Sequence, residues 1–190
     1  MKHEFVDGRA ERRKASRRRI IDSTRRLIIE GHSEPTAEQI ADRVGLTTRT
    51  LFRHFPDMES LFLEVLSEAQ ELAKAVMDEP LPPGNPSEQL RSIVERRARL
   101  YEHALPTQIS RTLLLHRSDR AQSDARNSVK RRRKRLREVL PPEVVADPLL
   151  FEAIDGVLSI EFWVSLRRDQ QLSAKRAKEV LLSTVFRLTA

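Results

Sequence analysis

The sequence predicts an all-α protein, and three features of its 190 residues support that prediction. Apolar residues recur three and four positions apart along most of the chain, which places them on one face of an α-helix. No segment alternates convincingly between apolar and polar side chains as a half-buried strand would. Glycine occurs only 5 times, hydrophobic residues make up 39% and charged residues 33%. This composition is typical of a helix-rich globular protein.

The first two helices are predicted near the N-terminus, after a polar segment that we expect to be mobile. The first helix carries apolar residues on one face, from Ile20 to Ile28, and Gly31 follows where it is expected to stop. Thr36 and Gln39 have the spacing of a capping box, in which each side chain satisfies a backbone N–H at the start of a helix. A short second helix therefore begins after Thr36.

The third helix follows a three-residue turn. Gly45 supplies the left-handed conformation that ends the second helix, and Thr47 can cap the third. Leu51 and Phe55 are four residues apart and so share one buried face of this helix.

The remainder of the chain reads as further helices separated by proline. A long helix follows Pro56, the segment 80–86 is a clear break, and another helix begins near Ser87. Later helices are predicted over residues 148–166 and 173–188, with a basic helix before Pro141. We expect about nine helices in total.

Cysteine content and hydropathy exclude several classes of protein. The chain has no cysteine, so disulfides, thiolate catalysis and cysteine-ligated metal sites are excluded. No apolar run approaches the roughly 20 residues of a membrane-spanning helix, and the N-terminus does not resemble a signal peptide. We expect a cytoplasmic protein.

Positive charge is concentrated towards the N-terminus. The formal net charge is +7. Residues 1–56 contain 13 basic and 8 acidic side chains, whereas residues 57–190 contain 22 and 20. A basic N-terminal part joined to a nearly neutral remainder suggests a polyanionic partner for the first part.

Residues 36–55 form the most specific pattern, that of a helix-turn-helix motif. Small Ala41 allows the two helices to cross closely, and Gly45 permits the sharp turn between them. The outward-facing residues of the second helix of the motif are Thr48, Arg49, Phe52 and Arg53. Such a helix fits the major groove of DNA, where arginine recognises guanine. Thr36 and Thr47, at helix N-termini, suit contacts with phosphate.

Residues 20–61 resemble the DNA-binding domain of the tetracycline-repressor-type (TetR) transcriptional regulators. The likeness extends from Ile20 through Gly31 and Thr36 to the segment 45–55, and on to Leu61. It implies an N-terminal three-helix DNA-binding domain at residues 1–56. It also implies a helical effector-binding and dimerisation domain at residues 57–190. The partners that it implies are double-stranded DNA with a two-fold operator, a second copy of the chain and a small-molecule effector.

Carried over by position, the resemblance places Thr36 and Thr47 on phosphate, Thr48 and Arg49 on bases, and His54 near the DNA backbone. Two positions depart from the family pattern. Phe52 stands where tyrosine is usual, and Met58 stands where lysine is usual. Each departure removes a group that would reach phosphate, which lowers the expected affinity more than it affects the fold.

Two arginine-rich segments lie outside the motif. Residues 9–19 are interpreted as an arm that contacts the DNA backbone, with a solvated helix start as the alternative. Residues 126–137 contain eight cations and allow a second nucleic-acid surface or a solvated helix face. We favour the solvated face, since the resemblance places this helix in the body of the protein.

The predicted helices 148–166 and 173–188 are too apolar for a single core to cover, so we expect them to pair with their copies in a homodimer. The predicted interface residues are Leu150, Ile154, Val157, Leu158, Phe162, Val180, Leu181, Thr184, Val185 and Leu188. Burial within one chain is the alternative.

An effector pocket is predicted in the C-terminal body, although each of its residues could equally belong to the core or the surface. Its candidate residues are Leu66, Leu100, Tyr101, His103, Ile109, Leu113, His116 and Trp163. The two histidines have no clustered carboxylates, so no metal or other cofactor is expected. The sequence lacks phosphate-loop and hydrolase motifs, which argues against an enzyme.

The sequence therefore predicts a homodimeric, sequence-specific DNA-binding regulator that responds to a ligand and acts as a repressor. The alternative is a non-catalytic helical scaffold or adaptor that binds acidic partners through its basic surfaces. An adaptor would show no preferred DNA sequence, and an enzyme would show turnover.

Overall fold

A computed structural model describes the backbone of residues 4–190 and the side chains of residues 8–71 and 73–190. Over this range the chain forms eleven α-helices and no strand, which confirms the all-α prediction. The helices are α1 Glu4–Ile29, α2 Ala37–Val44, α3 Thr48–His54, α4 Met58–Asp78, α5 Pro86–Ala104, α6 Gln108–Arg117, α7 Asp119–Arg137, α8 Pro142–Ala146, α9 Pro148–Val157, α10 Ile160–Val164 and α11 Ala174–Leu188. A 3₁₀ turn at Leu105–Thr107 precedes α6, and a π-helical turn at Ser165–Asp169 follows α10.

The chain divides into two compact units. The first contains the residues up to Gln70 together with Pro106–Gln122, and the second contains Glu71–Leu105 and Ser123–Ala190. The boundary predicted after residue 56 marks the end of the sequence motif, whereas packing places the start of α4 and all of α6 in the first unit. The reason is that Phe62 and Val65 of α4, and Leu114 of α6, are buried in its core.

The core of the first unit is built from α1, α2, α3, α4 and α6. Its fully buried side chains include Ile20, Ile40, Leu51, Phe55 and Leu61. The apolar spacing that predicted the first three helices therefore also identified the residues that hold them together.

The core of the second unit joins α5, α9, α10 and α11, with the end of α7 and α8. Its centre includes Ile93, Val94 and Trp163. Arg97 is 1% exposed in this core and donates hydrogen bonds to the carbonyls of Leu158 and Arg132. Burial lowers the pKa of Arg97, although the Tyr101 hydroxyl and the Asp155 carboxylate beside it act in the opposite direction.

Two helix predictions need correction. The first helix begins at Glu4, so the polar start that we expected to be mobile is helical from that residue. The single helix expected over residues 148–166 is broken at Leu158 and Ser159. Arg97 and Tyr101 both donate to the Leu158 carbonyl, and Ser159 accepts from the N–H of Phe162 to start α10.

Candidate DNA-binding site

Helix α2 supplies the support of the candidate site. The Thr36 hydroxyl accepts a hydrogen bond from the Gln39 N–H at 3.3 Å, and the Gln39 side chain accepts from the Thr36 N–H at 2.8 Å. This is the predicted capping box. Ile40, Ala41 and Val44 are buried, which fixes the rotation of α2 against the rest of the unit.

The turn between α2 and α3 depends on Gly45. Its backbone has φ +71° and ψ +39°, the left-handed conformation that residues with a side chain rarely adopt. The Gly45 N–H bonds back to the carbonyls of Ala41 and Asp42, and this closes α2. The chain can therefore turn sharply and present α3 on the surface.

Helix α3 has one buried and one exposed face. Thr47 caps it, since its hydroxyl accepts from the Thr50 N–H at 3.2 Å. Leu51 is fully buried and anchors the helix, while Arg49 and Arg53 are exposed and Phe52 keeps 42% of its surface exposed. Thr48 is half-buried, whereas the capping residues Thr36 of α2 and Thr47 of α3 are exposed.

The exposed arginines of α3 have no carboxylate partner in the described part of the chain. Residues 8–71 contain several arginine–carboxylate pairs, such as Arg43 with Glu30, but Arg49 and Arg53 belong to none of them. An unpaired guanidinium keeps its donors available for an external acceptor. The arrangement can therefore bind phosphate or the edge of guanine.

His54 lies on the buried side of α3 at 9% exposure, and its Nδ1 atom has no hydrogen-bond partner. Burial lowers the pKa of His54 below its ordinary value, and the positive charges of Arg53, Arg13 and Arg17 lower it further. The sequence interpretation places His54 near the DNA backbone. In the structure its side chain packs inside the first unit.

The arginine-rich start of α1 is divided between structural and exposed cations. Arg17 pairs with Glu64, donates to the carbonyl of His54 and lies 4.0 Å from the centre of the Phe55 ring. Arg19 donates to the carbonyl of Val44 at 3.0 Å. These side chains clamp the ends of α2 and α3, a role that the sequence interpretation missed because the partners are distant in sequence.

Among the other cations of α1, some pair with α4 and others face solvent. Arg18 and Arg25 both pair with Glu68 of α4, and this reinforces the contact between the two helices. Arg13 and Lys14 are exposed and have no hydrogen bond or ion pair among the described residues. Arg9 is likewise exposed and unpaired among the described residues, so these three cations are the part of the predicted DNA-contacting arm without a hydrogen bond or ion pair there.

The eight candidate effector residues fall into both units. Leu66 is buried in the first unit, where Ile109, Leu113 and His116 are exposed. In the second unit His103 is exposed and Leu100 half-buried. Tyr101 and Trp163 are buried there and hydrogen-bonded, Tyr101 to the Leu158 carbonyl and Trp163 to the Glu102 carboxylate.

The predicted dimer residues separate into two groups. Four are fully buried within the second unit and therefore serve its own core: Ile154, Leu158, Leu181 and Val185. The other six keep part of their surface exposed: Leu150, Val157, Phe162, Val180, Thr184 and Leu188. The six partly exposed residues keep surface that a partner chain can cover, and the dimer interface stays a prediction.

Neither a metal site nor a membrane-spanning helix is found in the described residues. No group of three or more histidine or carboxylate side chains there is arranged to hold a metal ion. None of the described helices combines the length and apolar character that a bilayer-spanning segment requires.

Comparison with known proteins finds a family model that resembles part of the first unit. Residues 20–65 match the sequence model of the bacterial regulatory proteins of the tetR family. This confirms the predicted resemblance over the whole helix-turn-helix region and the start of α4. No protein of curated function matches the sequence.

Solved structures share the fold along nearly the whole chain. The transcriptional regulator SCO7518 of Streptomyces coelicolor A3(2) is 22% identical with a TM-score of 0.64, covering 92% of this chain and 98% of that one. A transcriptional regulator from Aquifex aeolicus VF5 is 19% identical with a TM-score of 0.64, covering 90% and 97%. NalD of Pseudomonas aeruginosa, the secondary repressor of the MexAB-OprM multidrug efflux pump, is 19% identical with a TM-score of 0.58, covering 92% and 95%.

Proposed function

We propose that this chain, a transcriptional regulator with a tetR-family DNA-binding domain at residues 20–65, acts as a homodimeric, ligand-responsive repressor. One observation carries the proposal. The exposed face of α3 presents Arg49 and Arg53 without carboxylate partners, on a helix held in place by buried Leu51 and by a left-handed turn at Gly45.

Base recognition is assigned to the exposed face of α3. Arg49 follows the first residue of the helix, and the N-terminal residues of a recognition helix are those that reach base edges. A bidentate contact of arginine with guanine contributes about 1–3 kcal/mol of discrimination. Thr48 supplies a hydroxyl, and the exposed ring of Phe52 is suited to a thymine methyl group.

Phosphate binding is assigned to the two capping threonines and to the exposed cations of the unit. The Thr36 and Thr47 hydroxyl oxygens accept from the backbone of their own helices. The Thr36 hydroxyl also hydrogen-bonds the Glu38 carboxylate, so a phosphate oxygen would replace that carboxylate as its acceptor, beside a helix N-terminus that favours negative charge. Arg13 and Lys14 add positive charge in α1, and His54 is assigned a packing role instead.

Dimerisation is assigned to the six partly exposed residues of α9, α10 and α11. Leu149, beside them in sequence, is 83% exposed and adds to the apolar surface that a partner chain would cover. A two-fold dimer would present two recognition helices to half-sites about 34–36 Å apart, or a multiple of that distance.

Ligand response and repression are supported by the fold shared with NalD, which is itself a repressor. A ligand shifts such a protein between conformers only through unequal affinity for them, typically 1–3 kcal/mol of coupling. The proposal includes a cytoplasmic location, where a DNA-binding regulator meets the chromosome, and a non-catalytic role.

Selection of bound duplexes from a random pool tests the proposal. The wild-type protein is expected to enrich one two-fold-symmetric sequence, and Arg49→Ala is expected to relax the choice of one base pair in each half-site by about 10- to 100-fold. Arg26→Ala, which removes an exposed α1 cation, is the matched control and is expected to select the wild-type sequence. Enrichment of no sequence would favour the adaptor alternative, and equal selection by all three proteins would exclude Arg49 from base recognition.

A further inference from the structure

Helix α7 carries a row of exposed positive charge outside the DNA-binding site. The run 126–137 contains eight cations, and the structure separates them into two sets. Four are engaged within the second unit: Arg132 donates to the Tyr101 hydroxyl, Arg133 pairs with Glu152 and Asp155, Arg135 pairs with Glu138, and Arg137 lies 4.3 Å from the Phe151 ring centre.

The other four cations are Arg126, Lys130, Arg131 and Lys134, which we call the α7 stripe. Three of them are spaced by four residues, so they follow one another along a single face of the helix over about 12 Å. All four are exposed, and none has an ion pair or a side-chain hydrogen bond in the described part of the chain. The positive charges of the stripe therefore repel one another, and no carboxylate of the described residues forms an ion pair with them.

We propose that the α7 stripe is a second DNA-binding surface, which holds the phosphate backbone of a duplex without reading its sequence. Its side chains are lysine and arginine, the groups that neutralise phosphates and release counterions. The inference rests on DNA being the ligand of this protein, as proposed above, but it assigns a new surface and a new mode of contact.

The composition of the exposed face favours a nucleic acid over a membrane or a protein. A helix that binds a membrane surface places large apolar side chains beside its cations. The exposed residues adjacent to the stripe are Ser123, Asn127 and Val129, and of these three only Val129 is apolar, with 36% of its surface exposed. Protein interfaces likewise depend on apolar and aromatic anchors, and the stripe contains none.

The expected role is retention on non-operator DNA. Backbone contacts of this kind supply the sequence-independent part of binding and depend steeply on salt. The stripe would thus raise the affinity for any duplex, while the base contacts of α3 would determine which DNA sequence is preferred.

Fluorescence anisotropy with a labelled random-sequence duplex of about 30 base pairs tests the proposal. The test variant is R126Q/K130Q/K134Q, and the control K74Q/R99Q/K175Q removes three exposed cations that are scattered over the second unit. Glutamine is a good helix former, so both variants are expected to keep the wild-type circular dichroism. The test variant should lose at least about tenfold in affinity at low salt, and its log–log salt slope should fall by about 2–3. The salt slope of the control variant should fall by less than about 1.

The same measurement in an R49A/R53A background separates this proposal from the proposed function. If α3 binds no DNA at all, the stripe-dependent salt slope is still expected in that background. Equal slopes for the stripe variant and the control would overturn the proposal. It would also be overturned if the stripe variant lost binding to phosphatidylglycerol vesicles but kept its affinity for the duplex.

Discussion

His54 shows how a single residue of α3 depends on its surroundings. It follows two outward-facing positions of α3, yet its imidazole is buried and its Nδ1 atom has no partner. A protonated imidazole at this position would be desolvated and would lie near Arg53, Arg13 and Arg17. The neutral form is therefore the one that the folded unit accommodates.

This environment predicts a loss of stability in mild acid. The pKa of His54 in the folded protein is lower than in the unfolded chain, where it is about 6.5, so the unfolded state binds more protons as pH falls below that value. We expect the free energy of unfolding to be lower at about pH 5.5 than at about pH 7.5. Urea denaturation at the two pH values measures the difference.

His54→Leu removes the titrating group. It is therefore expected to reduce the difference in the free energy of unfolding between about pH 5.5 and about pH 7.5. His116, which is exposed, provides the matched control as His116→Leu and should leave the difference unchanged. An unchanged difference in the His54 variant would show that another group causes the acid sensitivity.

Residue-level predictions from the sequence succeeded where the interaction is local. Thr36 and Gln39 are three residues apart, and their capping box follows from that spacing alone. The burial of His54 could not be predicted in this way. The groups that determine its environment include Arg13 and Arg17, which come from α1 and meet α3 only in the folded unit.

At the level of elements, the position of α3 depends on a clamp from α1. Arg17 contacts both α3 and α4, because it donates to the carbonyl of His54 at the end of α3, lies on the ring of the capping residue Phe55 and pairs with Glu64 of α4. The Arg17 guanidinium lies at the C-terminal end of α3, where positive charge is favourable.

Arg17→Ala is expected to lower the free energy of unfolding by about 1–2 kcal/mol, with the ion-pair share reduced because the side chain is partly exposed. Operator affinity should fall with it, since α3 loses its clamp. Arg13→Ala provides the contrast, because Arg13 is exposed and unpaired among the described residues. It should leave stability within about 0.5 kcal/mol of wild type and reduce the salt slope of DNA binding by about 1.

Thermal unfolding and anisotropy titrations distinguish the two roles. If Arg17→Ala changed DNA affinity without any loss of stability, Arg17 would belong to the DNA-contacting arm as first predicted from the sequence. The clamp would then have no structural importance.

Helix boundaries in the second unit show the limit of periodicity. The apolar spacing over residues 148–166 continues without interruption, so a single helix was the natural prediction. The break at Leu158 coincides with two hydrogen bonds to its carbonyl, from Arg97 and Tyr101 of α5. Those donors lie about sixty residues away in sequence, so no pattern within residues 148–166 predicts the break.

For the whole molecule, the sequence was most informative about the first unit. A helix-turn-helix motif is defined by local spacing, by caps and by one glycine, so residues 36–55 were sufficient to identify it. The second unit is determined by long-range packing of helices that carry no motif. The apolar pattern could not predict how these helices are arranged. Solved structures of regulators share that arrangement.

The central claim is that two copies of α3 read bases in the major groove. Methylation interference on the selected operator tests it most directly, because methyl groups at guanine N7 block the atoms that an arginine would contact. The account predicts interference at guanines in two symmetric half-sites separated by one or more helical turns, and loss of the matching signal with Arg49→Ala. Interference in one half-site only, or a pattern unaffected by Arg49→Ala, would contradict it.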